Sequence, residues 1–310
     1  MVKQNSKIID PPDFIYLAAM MKSSSTLMWL VLDAIRNPDN RADPSTMEDV
    51  PADEFRPLTI DFLQHFPRGG VFKNHAPYEY HTDRFLKQTG CKCVLLVRHP
   101  ADHLAGLYCH QRGLRALGTE MEVPMERRTD WFFSAGPIPA NYLDGDHHFA
   151  IGQMIGGGYL WKTLEWMADW LKFRHPRQSR VLKYEDVIGK FDAVVADLCQ
   201  FIRDREPDDD LMKYLRRVFD HETTTGRQKG ALDKYPLGWT GRVGTYQDYL
   251  SATNVDLYNE QVQRFLDCYP HASTILAQYP NLLVTKSCSL KEEQQIDLMN
   301  DCRINEIRSS

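Results

Sequence analysis

Apolar positions along the chain fall into short blocks that switch between strand-like runs and helix-like spacing. Phe14–Ala19 is a compact apolar run and predicts a strand; from about Thr26 to Ile35 the spacing is that of a helix. Residues 37–57, rich in proline, asparagine and acids, read as a surface loop. The turn Pro67-Arg68-Gly69-Gly70 leads into a short strand at Gly70–Lys73, and a helix is expected around Thr82–Thr89. Cys91–Arg98 is almost continuously apolar, which suits a strand buried on both faces of a parallel sheet. His99-Pro100 ends it, and Pro100 suits the first turn of a helix from Ala101 to about His110. Residues 113–157 mix aromatics, prolines and glycines and yield no assignment. Trp161–Phe173 reads as an amphipathic helix, Arg180–Tyr184 as a strand and Asp186–Ile202 as a further helix.

Strands alternating with helices predict an α/β fold, a central parallel sheet flanked by helices with right-handed crossovers. No repeat or low-complexity linker interrupts the pattern, so residues 1–310 read as one domain. Segments of about 37–57 and 113–157 are its variable rim, and about 286–310 is a polar C-terminal extension. Lys22, His75, Arg98 and Tyr184 each fall at, or just past, the carboxyl end of an expected strand. In a parallel sheet those ends open on one face, where open α/β folds bind ligands.

Lys22-Ser23-Ser24-Ser25-Thr26 joins the first strand to the first helix. Such a loop offers backbone N–H groups, hydroxyls and the positive helix end to an anion, and the lysine adds a point charge. A nucleoside-triphosphate loop of the GxxxxGK[ST] type needs glycines before the lysine, and Tyr16-Leu17-Ala18-Ala19-Met20-Met21 supplies none. A polar helix cap accounts for the same serines.

Net charge is −5, so no basic field draws nucleic acid or an anionic bilayer; anion binding has to come from a local pocket. Apolar runs such as Phe14–Met21 fall far short of the roughly 18 residues that span a bilayer. Met1–Asp13 has no signal-peptide core, and seven irregularly spaced cysteines suggest reduced thiols, with Cys91 and Cys93 in the core; a cytoplasmic setting is expected. His99, His103, His147 and His148, with Asp144 and Asp146, have no convincing ligand spacing, so no metal site is expected.

With those residues in view, the chain resembles the sulfotransferases that use 3′-phosphoadenosine 5′-phosphosulfate (PAPS). Phe14–Leu30 looks like their 5′-phosphosulfate loop, K-S-G-T-T-W: Lys22, Ser23, Ser25 and Thr26 match, Ser24 replaces the glycine and Leu27 the tryptophan. Trp29 is nearby but on another helical face. Phe72-Lys73-Asn74-His75-Ala76-Pro77 is similar to K-T-H-x-P, and Val97–Asp102 to R-N-P-x-D, the start of the 3′-phosphate signature, whose later serine falls on Gly106. Leu182–Asp186 resembles the Y-E-D segment, and Gly241–Tyr246 resembles G-K-x-G-D-W, with Trp239-Thr240 where a basic pair is usual.

The resemblance implies a three-layer, P-loop-like fold and transfer of a sulfuryl group from PAPS to a hydroxyl or amino group. It makes His75 the general base, sets Lys22 at the leaving oxygen and Lys73 on the sulfuryl oxygens. Lys22, Ser23, Ser24, Ser25, Thr26, Arg98, Tyr184, Gly241 and Arg242 become the donor-binding set; Arg227 and Lys229 are further candidates for the displaced basic pair. Each has a plainer alternative. A lone histidine is often structural, Lys73 a solvated lysine, Tyr184 a core tyrosine, and Arg98 a salt-bridge partner of Asp102 or Glu185. The expected acceptor is a small molecule rather than a polysaccharide, drawn from specialised metabolism; Trp131, Phe132, Phe133 and Tyr142 offer it an apolar wall. A homodimer is compatible with this reading. The rivals are a P-loop small-molecule kinase and a non-catalytic adenosine-bisphosphate-binding protein.

Overall fold

A computed structural model describes residues 14–20, 22–39, 70–116, 146–220 and 242–285. The turn residues 67–69, rim residues 40–57 and 117–145 with their four aromatics, Arg227, Lys229, Gly241 and the extension 286–310 lie outside them.

Four strands form the sheet: β1 (Ile15–Ala19), β2 (Val71–Asn74), β3 (Lys92–Val97) and β4 (Ser179–Lys183). All neighbours are parallel, in the order β2-β1-β3-β4, with Ala18 beside Asn74, Ala19 beside Leu96 and Val97 beside Lys183. After β1 the chain steps outward to β2; after β3 it steps the other way to β4. The carboxyl ends of β1 and β3 therefore flank a topological switch point, where a crevice opens.

The helices are α1 (Ser25–Arg36), α2 (Tyr80–Thr89), α3 (Pro100–Ala116), α4 (His147–Gly156) and α5 (Tyr159–Phe173). They continue with α6 (Tyr184–Gly189), α7 (Phe191–Arg203), α8 (Asp209–Asp220), α9 (Tyr246–Tyr249), α10 (Ala252–Cys268) and α11 (Ser273–Gln278). Strand side chains alternate between two cores. Tyr16, Ala18, Cys93, Leu95 and Val97 pack with α3, α4, α5 and α10. Ile15, Leu17, Ala19, Val94 and Leu96 pack with α1, α7 and α8. Both faces of β1 and β3 are covered, which is why their sequences are apolar at every position except Lys92, the first residue of β3, whose ammonium donates to the Phe201 and Ile202 carbonyls. The layers are helix, sheet, helix, as expected.

Several boundaries differ from the expected pattern. Tyr184 opens α6 instead of ending β4, and the single helix expected over Asp186–Ile202 is two, broken at Lys190 (φ −140°, ψ 40°). Val97, not Arg98, is the last strand residue. The unassigned stretch 113–157 contains α4, capped by the Asp146 side chain, which accepts from the Phe149 amide at 2.7 Å. Pro100 does occupy the first helical position of α3.

Cys91, Cys93, Cys109 and Cys199 are buried free thiols and Cys268 is exposed. Burial pushes Cys91 and Cys199 up to about 11, so both stay protonated at neutral pH. No helix among the described residues is long and apolar enough to cross a membrane.

Candidate active site

The loop after β1 is built from left-handed backbone. Lys22 has φ 57° and Ser24 φ 65°, ψ 35°. Neither is glycine, so the surrounding contacts must hold this conformation against its steric cost. Ser23 is fully buried and its hydroxyl donates to the Met20 carbonyl at 2.5 Å, pinning the loop to the strand end. Ser24 stands at the N-cap of α1 but makes no side-chain cap bond; its side chain lies near the Tyr184 hydroxyl. The polar-cap explanation of these serines therefore fails for Ser24. Ser25 and Thr26 begin α1, where first-turn N–H groups have no partner within the helix.

Because of that φ, Ser24→Gly should keep or raise the unfolding midpoint. Ser24→Val should lower stability by about 1–2 kcal/mol, since a β-branched side chain tolerates left-handed backbone poorly. Denaturant melts in which the valine variant is the more stable would contradict the loop conformation.

The β2 end brings Lys73, Asn74 and His75 alongside. All three are buried, Lys73 only 5% exposed, which excludes the solvated-lysine alternative. His75 Nδ1 lies 2.6 Å from the Ala19 carbonyl. A carbonyl only accepts, so Nδ1 carries the proton and the lone pair of the neutral ring is on Nε2. Asn74 Oδ1 accepts from the Ala76 amide at 2.5 Å, fixing the turn after His75. From α5, the Trp166 indole N–H donates to the carbonyls of His75 (3.1 Å) and Ala76 (2.9 Å), and that of Trp170 to Ala76 at 3.1 Å. These two tryptophans were missed from sequence. The signal, two indoles four residues apart on one face of α5, is indistinguishable there from ordinary core packing.

Arg98 follows β3 and is 6% exposed. Nη1 donates to the Lys22 carbonyl at 2.7 Å, Nη2 makes a long 3.5 Å contact with the Arg242 carbonyl, and Nε is buried without a partner. The guanidinium carbon is 4.2 Å from the centre of the Tyr184 ring. The expected salt-bridge alternative does not hold. Asp102 accepts instead from the amides of Gly244 (2.8 Å) and Tyr246 (2.9 Å), and Glu185 from the His99 amide (2.9 Å) and the Tyr279 hydroxyl (3.0 Å). Among the described residues no carboxylate forms a salt bridge with this guanidinium, and a buried cation lacking one is costly until an anion joins it.

The remaining candidates divide. Burial pushes the Tyr184 hydroxyl above its usual range, the nearby Arg98 charge opposing. The Tyr184 ring lies against the Arg98 guanidinium, just past the carboxyl end of β4. The Arg242 backbone reaches Arg98, but its exposed guanidinium is paired with Asp248. Leu27 is in the core, and the Trp29 indole donates to the Val71 carbonyl at 2.8 Å, at the opposite end of the sheet from the crevice. His99 packs against Tyr246 and Tyr279 rings, and burial holds its imidazole below its ordinary range. Lys22, His75, Arg98 and Tyr184 are thus brought to one edge, as their strand-end positions predict.

The sulfotransferase domain family matches residues 12–230 of the chain. No curated protein matches it. Among solved structures it resembles mouse sulfotransferase SULT7A1 complexed with PAP, at 14% identity over 87% of this chain and 90% of that one, TM-score 0.52. It also resembles retinol dehydratase in complex with androsterone and inactive cofactor PAP, at 15% identity over 84% of each chain, TM-score 0.60. At such identities the structures speak for the fold alone, and the family match, spanning most of the chain, speaks for the rest. The chain belongs to the PAPS-dependent sulfotransferase family and is a sulfotransferase.

Proposed function

We propose that the crevice at the β1–β3 switch point binds PAPS and passes its sulfuryl group to a hydroxyl or amino group of a small specialised metabolite. One observation carries the donor reading: Arg98 is buried beside the anion loop with, among the described residues, an unpartnered Nε and no carboxylate in a salt bridge with it. A phosphate accepts charge-assisted hydrogen bonds from such a group. The loop Lys22–Thr26 and the start of α1 take the 5′ end, Arg98 the 3′-phosphate, with Tyr184 alongside and Gly241 and Arg242 contributing from the carboxyl-terminal segment.

In the transfer, the acceptor oxygen or nitrogen bonds to sulfur as the bond from sulfur to the phosphate oxygen breaks. The acceptor proton passes to His75 Nε2. Lys22 meets the charge gathering on the leaving oxygen, and Lys73 the sulfuryl oxygens. The products are a sulfated acceptor and adenosine 3′,5′-bisphosphate. The Ala19 carbonyl and the two indoles hold the imidazole and its backbone in place, so little reorganisation is needed when it takes the proton. We read the chain as one catalytic domain, working in the cytoplasm without nucleic acid, metal or membrane, and a homodimer is compatible with it.

The test is a titration with adenosine 3′,5′-bisphosphate and with ATP, followed by turnover with labelled donor over a panel of alcohols, phenols and amines. Adenosine 3′,5′-bisphosphate should bind tightly and ATP weakly, and turnover should persist in EDTA. Tighter ATP binding with magnesium-dependent turnover would favour a kinase; tight bisphosphate binding with no turnover on any acceptor would favour a binding protein.

A further inference from the structure

We infer that Gly106 is a positioning residue for the anion loop: its bare helical turn seats the Arg98 guanidinium against the Lys22 carbonyl. This rests on the donor reading above for its effect on nucleotide, though not for its effect on the loop. Gly106 lies in the second turn of α3, directly beneath the two groups concerned. A Cβ at this position would stand 2.9 Å from Arg98 Nη1, 3.8 Å from Arg98 Cζ and 3.6 Å from Lys22 Cβ. The first separation is below contact distance, so a side chain at 106 displaces the guanidinium.

The contact it would displace is the one that matters. Nη1 makes the short bond to the Lys22 carbonyl, 2.7 Å, whereas Nη2 has only its 3.5 Å contact with the Arg242 carbonyl. Lys22 is held in left-handed backbone without being a glycine, so its carbonyl needs such a partner to stay where it is. The colliding atom is the far end of a long side chain, which yields more readily than helix backbone. The cost of a methyl at 106 therefore falls on the Arg98–Lys22 bond and spares α3 itself. The serine expected here by family resemblance would occupy the same space, so its replacement by glycine is more than a lost hydroxyl. Arg98, proposed to read the 3′-phosphate, is thereby tied to the 5′ loop.

Four proteins decide the matter: wild type, Gly106→Ala, Arg98→Ala and the double variant. Gly106→Ala should weaken adenosine 3′,5′-bisphosphate binding by about tenfold, the worth of one charge-assisted hydrogen bond. In the Arg98→Ala background the same methyl should change affinity by less than about twofold, because its collision partner is gone. Without ligand, hydrogen exchange at the amides of residues 23–26 should quicken by about tenfold on Gly106→Ala in the wild-type background alone. Unchanged exchange in Gly106→Ala, equal losses in both backgrounds, or failure to fold in both would overturn the proposal. Folding only when Arg98 is absent would support it. A wild type that ignores adenosine 3′,5′-bisphosphate would sink the donor reading, while the exchange data would still judge Gly106.

Discussion

Replacing His75 by alanine should lower kcat by about 10²–10⁴-fold and leave donor affinity nearly unchanged, because a general base acts mainly in the transition state. The geometry is arranged for that role. The Ala19 carbonyl holds the proton on Nδ1, so Nε2 is the basic nitrogen. Asn74 and the two indoles fix the backbone on either side, so the variant keeps the turn that carries position 75. Single-turnover rates and a binding titration on the same preparation separate the two effects. Donor binding that collapses while the chemical step survives would make His75 a structural residue. His75→Asn sharpens the comparison: its amide nitrogen stands where Nδ1 stood and can still donate to Ala19 but cannot take a proton, so it should be as slow as alanine.

Lys22→Ala should reduce the chemical step by at least about 10²–10³-fold, the usual loss when one donor to developing charge is removed. Its side chain stands in the loop that faces the switch point, and the leaving phosphate oxygen gains a full charge as the sulfur bond breaks. The substitution keeps a Cβ and leaves the Lys22 carbonyl, so the backbone bond from Arg98 persists and the loop has no new reason to rearrange. Thermal melts should therefore match wild type within about 1 kcal/mol. A folded Lys22→Ala protein with near-normal turnover would remove the lysine from the mechanism. Lys22→Arg retains charge but not the compact ammonium, so partial recovery would point to charge as the main contribution.

These expectations differ in how much of their support is local. The parallel sheet was legible because strands covered on both faces are almost continuously apolar: Phe14–Ala19 and Cys93–Val97 admit hardly any other reading. Once those strands are parallel, chain direction alone sends Lys22, His75, Arg98 and Tyr184 to one edge, which is why residues 160 positions apart were assembled correctly. Helix α4 was not legible. Its capping Asp146 sits among glycines, histidines and a proline-rich approach, and local composition outweighed a single cap.

What the sequence determined by itself is therefore the layer order, the chemical character of the loop and the identity of the strand-end residues. Those depend on periodicity and residue type, which are properties of the chain taken a few residues at a time. Tertiary structure alone decided between the readings left open at each position. Whether Arg98 pairs with Asp102 or Glu185 turns on which partners arrive from residues 244–246 and 279, and they take both carboxylates first. Whether Lys73 is solvated turns on what covers β2, and whether Gly106 is a lost hydroxyl or a seat turns on where a guanidinium eight residues earlier comes to rest. Each is a competition among groups distant in sequence for one small volume, and only packing settles which of them gets there.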